Sequence, residues 1–149
     1  MTLTDLAAIL LALLFGAIVG IEREISGKAA GLRTNVLICI GAAIFTIMSR
    51  TMGADDGSVT RIAAQVVSGV GFLGAGAIIQ DRGGVHGLTT AATIWLVAGI
   101  GMACGAKQFA LASLVTAVAF FVLLAVGRLE RRYRNTRFKA LSQGSDRPE

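Results

Sequence analysis

The residues best suited to chemistry in this sequence are carboxylates and arginines at the ends of apolar segments. Glu22, Arg23 and Glu24 end the first apolar segment, and Asp81 follows the third. One or two carboxylates that leave several waters in place are the usual protein ligands of Mg²⁺. Glu22 opposite Asp81 is also the one plausible acid/base pair. Arginines nearby would neutralise these carboxylates, so ion pairs and interfacial anchors explain the same pattern.

Other reactive residues do not form a catalytic set. His86 is the only histidine and stands in a glycine-rich loop segment. Cys39 and Cys104 both lie in apolar segments, where free cysteine behaves as a small hydrophobe. Asp55 and Asp56 are typical of a solvated acidic loop. With no nucleophile–base pair or metal triad legible, the sequence predicts a non-enzymatic protein without a cofactor, and leaves Mg²⁺ as the alternative.

Composition indicates that the chain lies in a membrane. Of its 149 residues 54% are hydrophobic and only 15% are charged, whereas soluble domains contain about 25% charged residues. Long apolar runs recur, which predicts an all-α membrane protein rather than a barrel. The predicted bundle has about five transmembrane helices, within residues 3–21, 32–49, 62–79, 88–103 and 108–126. The lipid bilayer is therefore its first expected partner.

Basic residues divide the chain and predict its orientation. Five spans place eleven lysines and arginines on one face and three on the other. The positive-inside rule then puts the N-terminus outside and the C-terminus in the cytoplasm. Residues 1–127 are expected to form the membrane domain, and residues 128–149 a basic cytoplasmic tail. That tail is typical of membrane-surface electrostatics, and no motif supports nucleic-acid binding.

This orientation gathers polar residues at the cytoplasmic ends of the first four spans. We predict an inward-facing polar site there, with anchoring and helix capping, for example by Thr89 or Thr90, as the alternative. The candidate residues are Glu22, Arg23, Glu24, Arg33, Thr34, Asn35, Asp81, Thr89 and Thr90.

Small residues mark the surfaces expected to pack helix against helix. Gly16 and Gly20 form a G-x-x-x-G face on the first span. The third span carries two stripes at helical spacing, and we expect it to be a central helix packed on two sides. The first stripe is Ala64, Ser68, Gly71 and Ala75, and the second is Gln65, Gly69, Phe72 and Gly76; Gly74 completes the candidate packing residues.

The match of residues 69–74 to G-x-G-x-x-G is not a dinucleotide site, because no strand, βαβ unit or downstream acidic residue accompanies it. Close-packing faces of this kind predict a homo-oligomer, with a dimer favoured, or contact with another membrane protein.

Four segments in this order resemble the MgtC/SapB family of bacterial inner-membrane proteins. They are residues 20–24 (GIERE), 31–35 (GLRTN), 68–76 (SGVGFLGAG) and 87–95 (GLTTAATIW). The resemblance covers about residues 5–127 and implies a five-helix membrane domain with a cytoplasmic C-terminus. It further implies a role in adaptation to low magnesium or acid stress, with virulence in some members and restraint of the ATP synthase by others.

Two functional hypotheses follow from the residues and the resemblance together. The first is a non-enzymatic membrane regulator that acts through helix contacts. The alternative is a transporter or channel for Mg²⁺ or another small cation or solute, although no inverted repeat is visible. Longer family members carry a soluble C-terminal domain, whereas only about 20 polar residues follow the fifth span here, so nothing known of that domain is transferred.

Overall fold

A computed structural model describes residues 2–52, 59–82 and 84–144, and the side chains of these except residues 59–62 and 129–144. Within this part the chain forms five helices and one short hairpin. The helices are α1 (Leu3–Ile25), α2 (Leu32–Met52), α3 (Val59–Gly76), α4 (Leu88–Gly105) and α5 (Phe109–Gly144). Strands β1 (Ile79–Asp81) and β2 (Gly84–His86) pair antiparallel between α3 and α4. The acidic pair Asp55–Asp56 lies outside the described residues.

Most of the helices have the length and the apolar composition of membrane-spanning helices. Helices α1, α2 and α4 and the Phe109–Arg128 part of α5 are each long and apolar enough to cross a bilayer. The apolar part of α3 that the structure describes, Ala63–Gly76, is shorter. These helices confirm the predicted all-α membrane fold. The orientation of the termini and the division at residue 127 stay predictions; α5 itself runs unbroken from its apolar part into the basic region.

Glycines bring α1, α2 and α4 close together. A Cβ built on Gly20 would lie 2.8 Å from the Cα of Leu32, and one on Gly16 would lie 3.0 Å from the carbonyl oxygen of Asn35. On α4, a Cβ at Gly101 would overlap the carbonyl oxygen of Cys39, and one at Gly105 would lie 2.5 Å from that of Ala43. Backbones at this separation leave no room for a side chain, so these three helices form the core of the bundle.

The same contacts define the two ends of the bundle. The C-terminal part of α1 meets the start of α2, and the end of α2 meets the end of α4 through Arg50 and Gly105. We call the end with the starts of α2 and α4 the hairpin end, because the β1–β2 hairpin precedes α4 there. The other end, with the start of α1 and the α4–α5 turn, is the opposite end.

Helix α3 is not central, which differs from the expectation for this glycine-rich segment. It packs on α2 and α4 through its Ala63, Val66, Val70 and Gly74 side, where a Cβ at Gly74 would be in ordinary contact, 3.5 Å from the oxygen of Ala91. All members of the first and second stripes are exposed. The physical reason is that the packed side of α3 also carries Val66 and Val70, which bury more apolar surface than glycine can. Gly74 lies on that packed side, whereas Gly69, Gly71 and Gly76 are exposed.

The segment after α3 is a hairpin rather than the predicted loop. The third span was expected to reach residue 79, but α3 ends at Gly76 and Ile79 begins β1. Ile79 pairs with His86 and Gln80 with Val85, and β-branched residues favour such strands. Gly87 then joins β2 to α4. Glycine is required there, because its φ is +87° and a Cβ would overlap the carbonyl oxygen of Ala77. Gly83, between the two strands in sequence, lies outside the described residues.

Candidate functional site

The acidic residues at the end of α1 are engaged with neighbouring groups. Glu22 and Arg23 are 5% and 3% exposed and form an ion pair with each other. The hydroxyl of Ser26 donates a hydrogen bond of 2.8 Å to the other oxygen of Glu22. Two opposite charges taken out of water together are much less costly than either alone. Glu22 is therefore buried with its negative charge compensated by Arg23.

Glu24 serves as a cap for α2. Its Oε2 accepts a hydrogen bond of 2.9 Å from the backbone N–H of Leu32, the first residue of that helix. A carboxylate suits this position, because the N-terminal N–H groups of a helix lack internal partners and carry partial positive charge. A Cβ at Gly31 would overlap this carboxylate. The glycine that opens the GLRTN motif therefore makes room for the last residue of GIERE.

Asn35 is the most completely buried polar residue of the predicted set, with 0% exposure. Its Nδ2 donates hydrogen bonds of 2.8 Å to the carbonyl oxygens of Ala30 and Gly31, and so fastens the loop before α2 to the helix. Its Oδ1 is buried without a hydrogen-bond partner among the described residues. Gly20 allows this arrangement, because a Cβ there would lie 3.3 Å from the Cβ of Asn35.

Arg33 and Thr34, the middle of the same motif, point away from these contacts. Both residues are exposed. Neither side chain has an ion-pair or hydrogen-bond partner within the part of the chain that the structure describes. They are therefore the two members of the GLRTN motif that internal packing does not account for.

The threonines at the start of α4 divide between core and surface. Thr90 and Thr93 are buried, whereas Thr89 is exposed. The hydroxyl of Thr93 donates to the backbone oxygen of Thr89 at 2.7 Å, a common way to satisfy a hydroxyl inside a helix. Neither Thr89 nor Thr90 caps α4, because the N-cap residue is Gly87 and makes no side-chain cap.

Asp81 lies in a different environment from Glu22. It stands at the end of β1 with its side chain 56% exposed, and its Oδ1 is 3.6 Å from Nε2 of His86. Glu22 is buried and paired with Arg23, so the two carboxylates have unlike surroundings. No group of three or more histidine, cysteine or acidic residues in the described ranges is arranged to hold a metal ion.

Sequence reasoning missed a charged cluster at the opposite end. Asp5 is 4% exposed, and its Oδ1 lies 3.8 Å from Nη1 of Arg50 and 3.7 Å from Nζ of Lys107. Arg50 also donates to the carbonyl oxygen of Gly105 at 2.8 Å. The cluster thus joins the start of α1, the end of α2 and the α4–α5 turn.

One member of this cluster, Asp5, belongs to a pattern that can be recognised in the sequence. Thr2 and Asp5 form a reciprocal capping box at the start of α1, and a threonine three residues before an acidic residue is its signature. That signature places Asp5 at the helix start. It carries no information on Arg50 or Lys107, which come from distant parts of the chain.

Comparison with known proteins agrees with these motifs. The model of the MgtC family matches residues 9–132. The chain is 50% identical to Protein MgtC of Salmonella typhimurium (strain LT2) over 118 residues, which are 78% of this chain and 50% of that protein. It is 41% identical to Protein MgtC of Brucella abortus (strain 2308) over 137 residues, which are 92% of this chain and 56% of that protein.

The chain spans about half the length of these curated relatives. No solved structure matches it at a significant level. The family match covers most of the chain and all four of the motifs described above. This multi-pass membrane protein therefore belongs to the MgtC family.

Proposed function

We propose that this chain is a non-enzymatic protein of the bacterial inner membrane that regulates another membrane protein through helix–helix contacts. The process is adaptation to low magnesium or acid stress, and the ATP synthase is the first partner to test. A homodimer is the expected form of the protein itself. The magnesium, stress and ATP synthase parts of this proposal rest on the family resemblance alone.

One observation carries the helix-contact part: the first stripe of α3 is uncovered. Ala64, Ser68, Gly71 and Ala75 all lie on the exposed side of this helix. Four small residues in one stripe give α3 a continuous small-residue face over three turns, whereas the exposed Gly99 of α4 has the large exposed side chain of Trp95 one turn before it. A continuous face of this kind allows a second helix to approach closely.

Gln65 supports the same conclusion from a different property. It is exposed, and it stands in the apolar part of α3 beside the first stripe. An amide that faces hydrocarbon lacks the hydrogen bonds that it would have in water. A hydrogen bond to a polar group on another helix is worth about 0.6 to 2 kcal/mol in a membrane. A helix docked on this side of α3 can supply that bond.

Transport, the alternative, receives less support. Of the carboxylates that motivated it, Glu22 is bonded to Arg23 and Ser26, and Glu24 to the start of α2. The third, Asp81, lies beside His86 on the hairpin. A cation would have to compete with these groups. The described side chains thus favour a structural role for Glu22 and Glu24.

Association can be tested with a matched pair of glycine variants. Gly71→Leu places a large side chain on the first stripe, and Gly99→Leu places the same side chain on α4; a Cβ at either site meets nothing within 4 Å. Each protein is extracted from membranes in mild detergent, and its oligomeric state and co-purifying proteins are measured. We expect wild type and Gly99→Leu to retain a second polypeptide and Gly71→Leu to lose it.

The physiological part is tested in the same variants. We expect cells that lack the protein to grow poorly in low Mg²⁺ or at acid pH, and to be rescued by Gly99→Leu but not by Gly71→Leu. ATP hydrolysis by inverted membrane vesicles reports on the ATP synthase. A monomer without any partner in wild type, or full rescue by Gly71→Leu, contradicts the proposal.

A further inference from the structure

An apolar groove runs between α2 and α3 on the outer surface of the bundle. It has a volume of about 390 Å³ and is lined by Leu37, Gly41 and Phe45 on α2 and by Val66, Gly69 and Leu73 on α3, among others. Gly41 and Gly69 deepen it, because a Cβ at either position meets nothing within 4 Å. The groove is open to the surroundings, with Leu37 69% exposed. In a bilayer, its surroundings are acyl chains.

The hairpin end of this groove carries a polar rim. Arg33 and Thr34 each stand one helical turn before a lining residue of α2, Leu37 and Ile38 respectively. Residues four apart lie one above the other on a helix, so both side chains share the side of α2 that borders the groove. Both are exposed and lack a partner among the described side chains. A guanidinium and a hydroxyl beside each other are well suited to a phosphate group.

We propose that this groove binds one anionic phospholipid, with an acyl chain between α2 and α3 and its phosphate on Arg33 and Thr34. The apolar floor of the groove suits the acyl chain of such a lipid, and the cationic rim suits its phosphate. In a bilayer the phosphate likewise lies nearer to the membrane surface than the acyl chain does. Helix α2 begins at Leu32, so the rim lies in the first turn of a membrane-spanning helix, where lipid headgroups are found. The bound lipid would also fill the gap that the two glycines leave, and would stabilise α3 against α2.

A second protein helix is a less suitable occupant of this groove. Its apolar residues would cover Leu37 and Phe45, but they would leave Arg33 without an anion. This site is also distinct from the first stripe, which lies on the other side of α3. The lipid proposal and the proposed function can therefore fail independently.

Lipid binding is tested on the delipidated full chain in detergent. Phosphatidylglycerol is titrated and followed by native mass spectrometry and by the thermal unfolding temperature. Phosphatidylcholine with the same acyl chains and glycerol 3-phosphate without chains are run in parallel. We expect phosphatidylglycerol to bind at a stoichiometry of one and to raise the unfolding temperature, and both other compounds to bind more weakly.

Variants separate the two parts of the site. We expect Arg33→Gln to weaken phosphatidylglycerol binding about fivefold, the effect of one basic residue at an anionic surface. Gly41→Leu fills the groove and should remove the shift in unfolding temperature. Arg82→Gln is the matched control, because Arg82 is an exposed arginine of the hairpin and does not line the groove.

Comparison of the two arginine variants shows whether Arg33 in particular holds the lipid phosphate. Binding that falls with Arg33→Gln and not with Arg82→Gln supports it, whether or not Gly41→Leu folds. Equal losses in the two arginine variants would show diffuse surface charge and overturn it. Equal binding of phosphatidylcholine or of glycerol 3-phosphate would overturn it as well. A dimer that Gly41→Leu converts to a monomer, without any change in lipid binding, would assign the groove to a second copy.

Discussion

Two sets of glycines in this protein have opposite surroundings. Gly16 and Gly20 of α1 and Gly101 and Gly105 of α4 lie against α2 so closely that no side chain can be added. Those of α3, Gly69, Gly71 and Gly76, have open space where a Cβ would stand. Pairs of small residues four apart, the spacing that favours close helix packing, occur on all three helices, as Gly16 and Gly20, Gly101 and Gly105, and Gly71 and Ala75. The comparison shows that this spacing identifies a small-residue face but not which helix, if any, covers it.

The difference also separates two functions of the chain. The covered glycines hold the fold together, and no ligand or partner is needed to explain them. The uncovered ones contribute nothing visible to the fold of the single chain. We therefore assign the covered set to stability; of the uncovered glycines, the proposed function uses Gly71 for association and the proposed lipid groove contains Gly69.

The largest effect on stability is expected at a covered glycine. Gly101→Leu would force the backbones of α4 and α2 apart, because even a Cβ overlaps the carbonyl oxygen of Cys39. Overpacking a core costs about 1 to 3 kcal/mol and sometimes more. We expect a large drop in the thermal unfolding temperature in detergent, or loss of the folded protein. Gly99→Leu, two residues away on the exposed side of α4, serves as the control and should change little.

The second-largest loss of stability is expected at Asn35, whose buried side-chain amide lies where α1 meets the start of α2. Asn35→Ala removes both hydrogen bonds to the loop carbonyls of Ala30 and Gly31. The oxygen of Gly31 keeps its bond from the backbone N–H of residue 35, so the oxygen of Ala30 is the group that loses its partner. Leaving a buried polar group unpaired costs about 1 to 3 kcal/mol. Thermal unfolding measures the loss, with exposed Thr34→Ala as the comparison. Equal unfolding temperatures for the two variants would mean that the amide is not what fastens this loop.

A smaller loss of stability is expected where the GIERE and GLRTN motifs meet, at Glu24 and Gly31. Gly31→Ala would displace the carboxylate of Glu24 from the N–H of Leu32. Loss of a helix cap costs about 0.5 to 2 kcal/mol. A double-mutant cycle with Glu24→Ala isolates this contact. Gly31→Ala should have little further effect once Glu24 is gone, and additive losses would contradict the assigned cap.

The smallest effect on stability is expected at the uncovered face. Gly71→Leu adds a side chain where nothing lies within 4 Å, so we expect the unfolding temperature of the monomer in detergent to change little. Exposed substitutions usually alter stability by less than about 0.5 kcal/mol. The same variant should nevertheless abolish association in membranes. A stability loss as large as that of Gly101→Leu would show that the two sets of glycines do not differ as described.

The sequence predicts the helices well because composition and apolar length depend on local residues only. Four apolar runs became helices long enough to span a membrane, and the polar ends of α1 and α2 lie close together. The position of α3 could not be predicted in this way, since exposed and buried sides of a membrane helix are both apolar. Its residues Ala63 and Ala64 illustrate this: they are of the same type, yet Ala63 lies on the bundle side and Ala64 is exposed.

The sequence predicts only part of the polar contacts, because it shows which residues are near in the chain and not which distant segments meet. Asn35 and Glu24 belong to motifs separated by a short loop, so their proximity follows from chain connectivity. Asp5, Arg50 and Lys107 meet from three distant segments, and no local pattern joins them. Lys107 is placed by a backbone φ of +63°, which is uncommon for a residue other than glycine and is not expected from its type.

Crosslinking at Gly71 in native membranes tests the central claim most directly. Gly71→Cys and the control Gly99→Cys are each labelled with a short crosslinker that carries a thiol-reactive group at one end and a photoreactive group, which inserts into a neighbouring C–H bond, at the other. Cys39 and Cys104 are fully buried and serve as an unreactive background. We predict that Gly71→Cys forms a crosslinked product with a second polypeptide, either another copy of this chain or its partner, and that Gly99→Cys does not. If Gly71→Cys forms no product and reacts with a lipid-soluble maleimide as fast as Gly99→Cys, the first stripe faces lipid and the account is wrong.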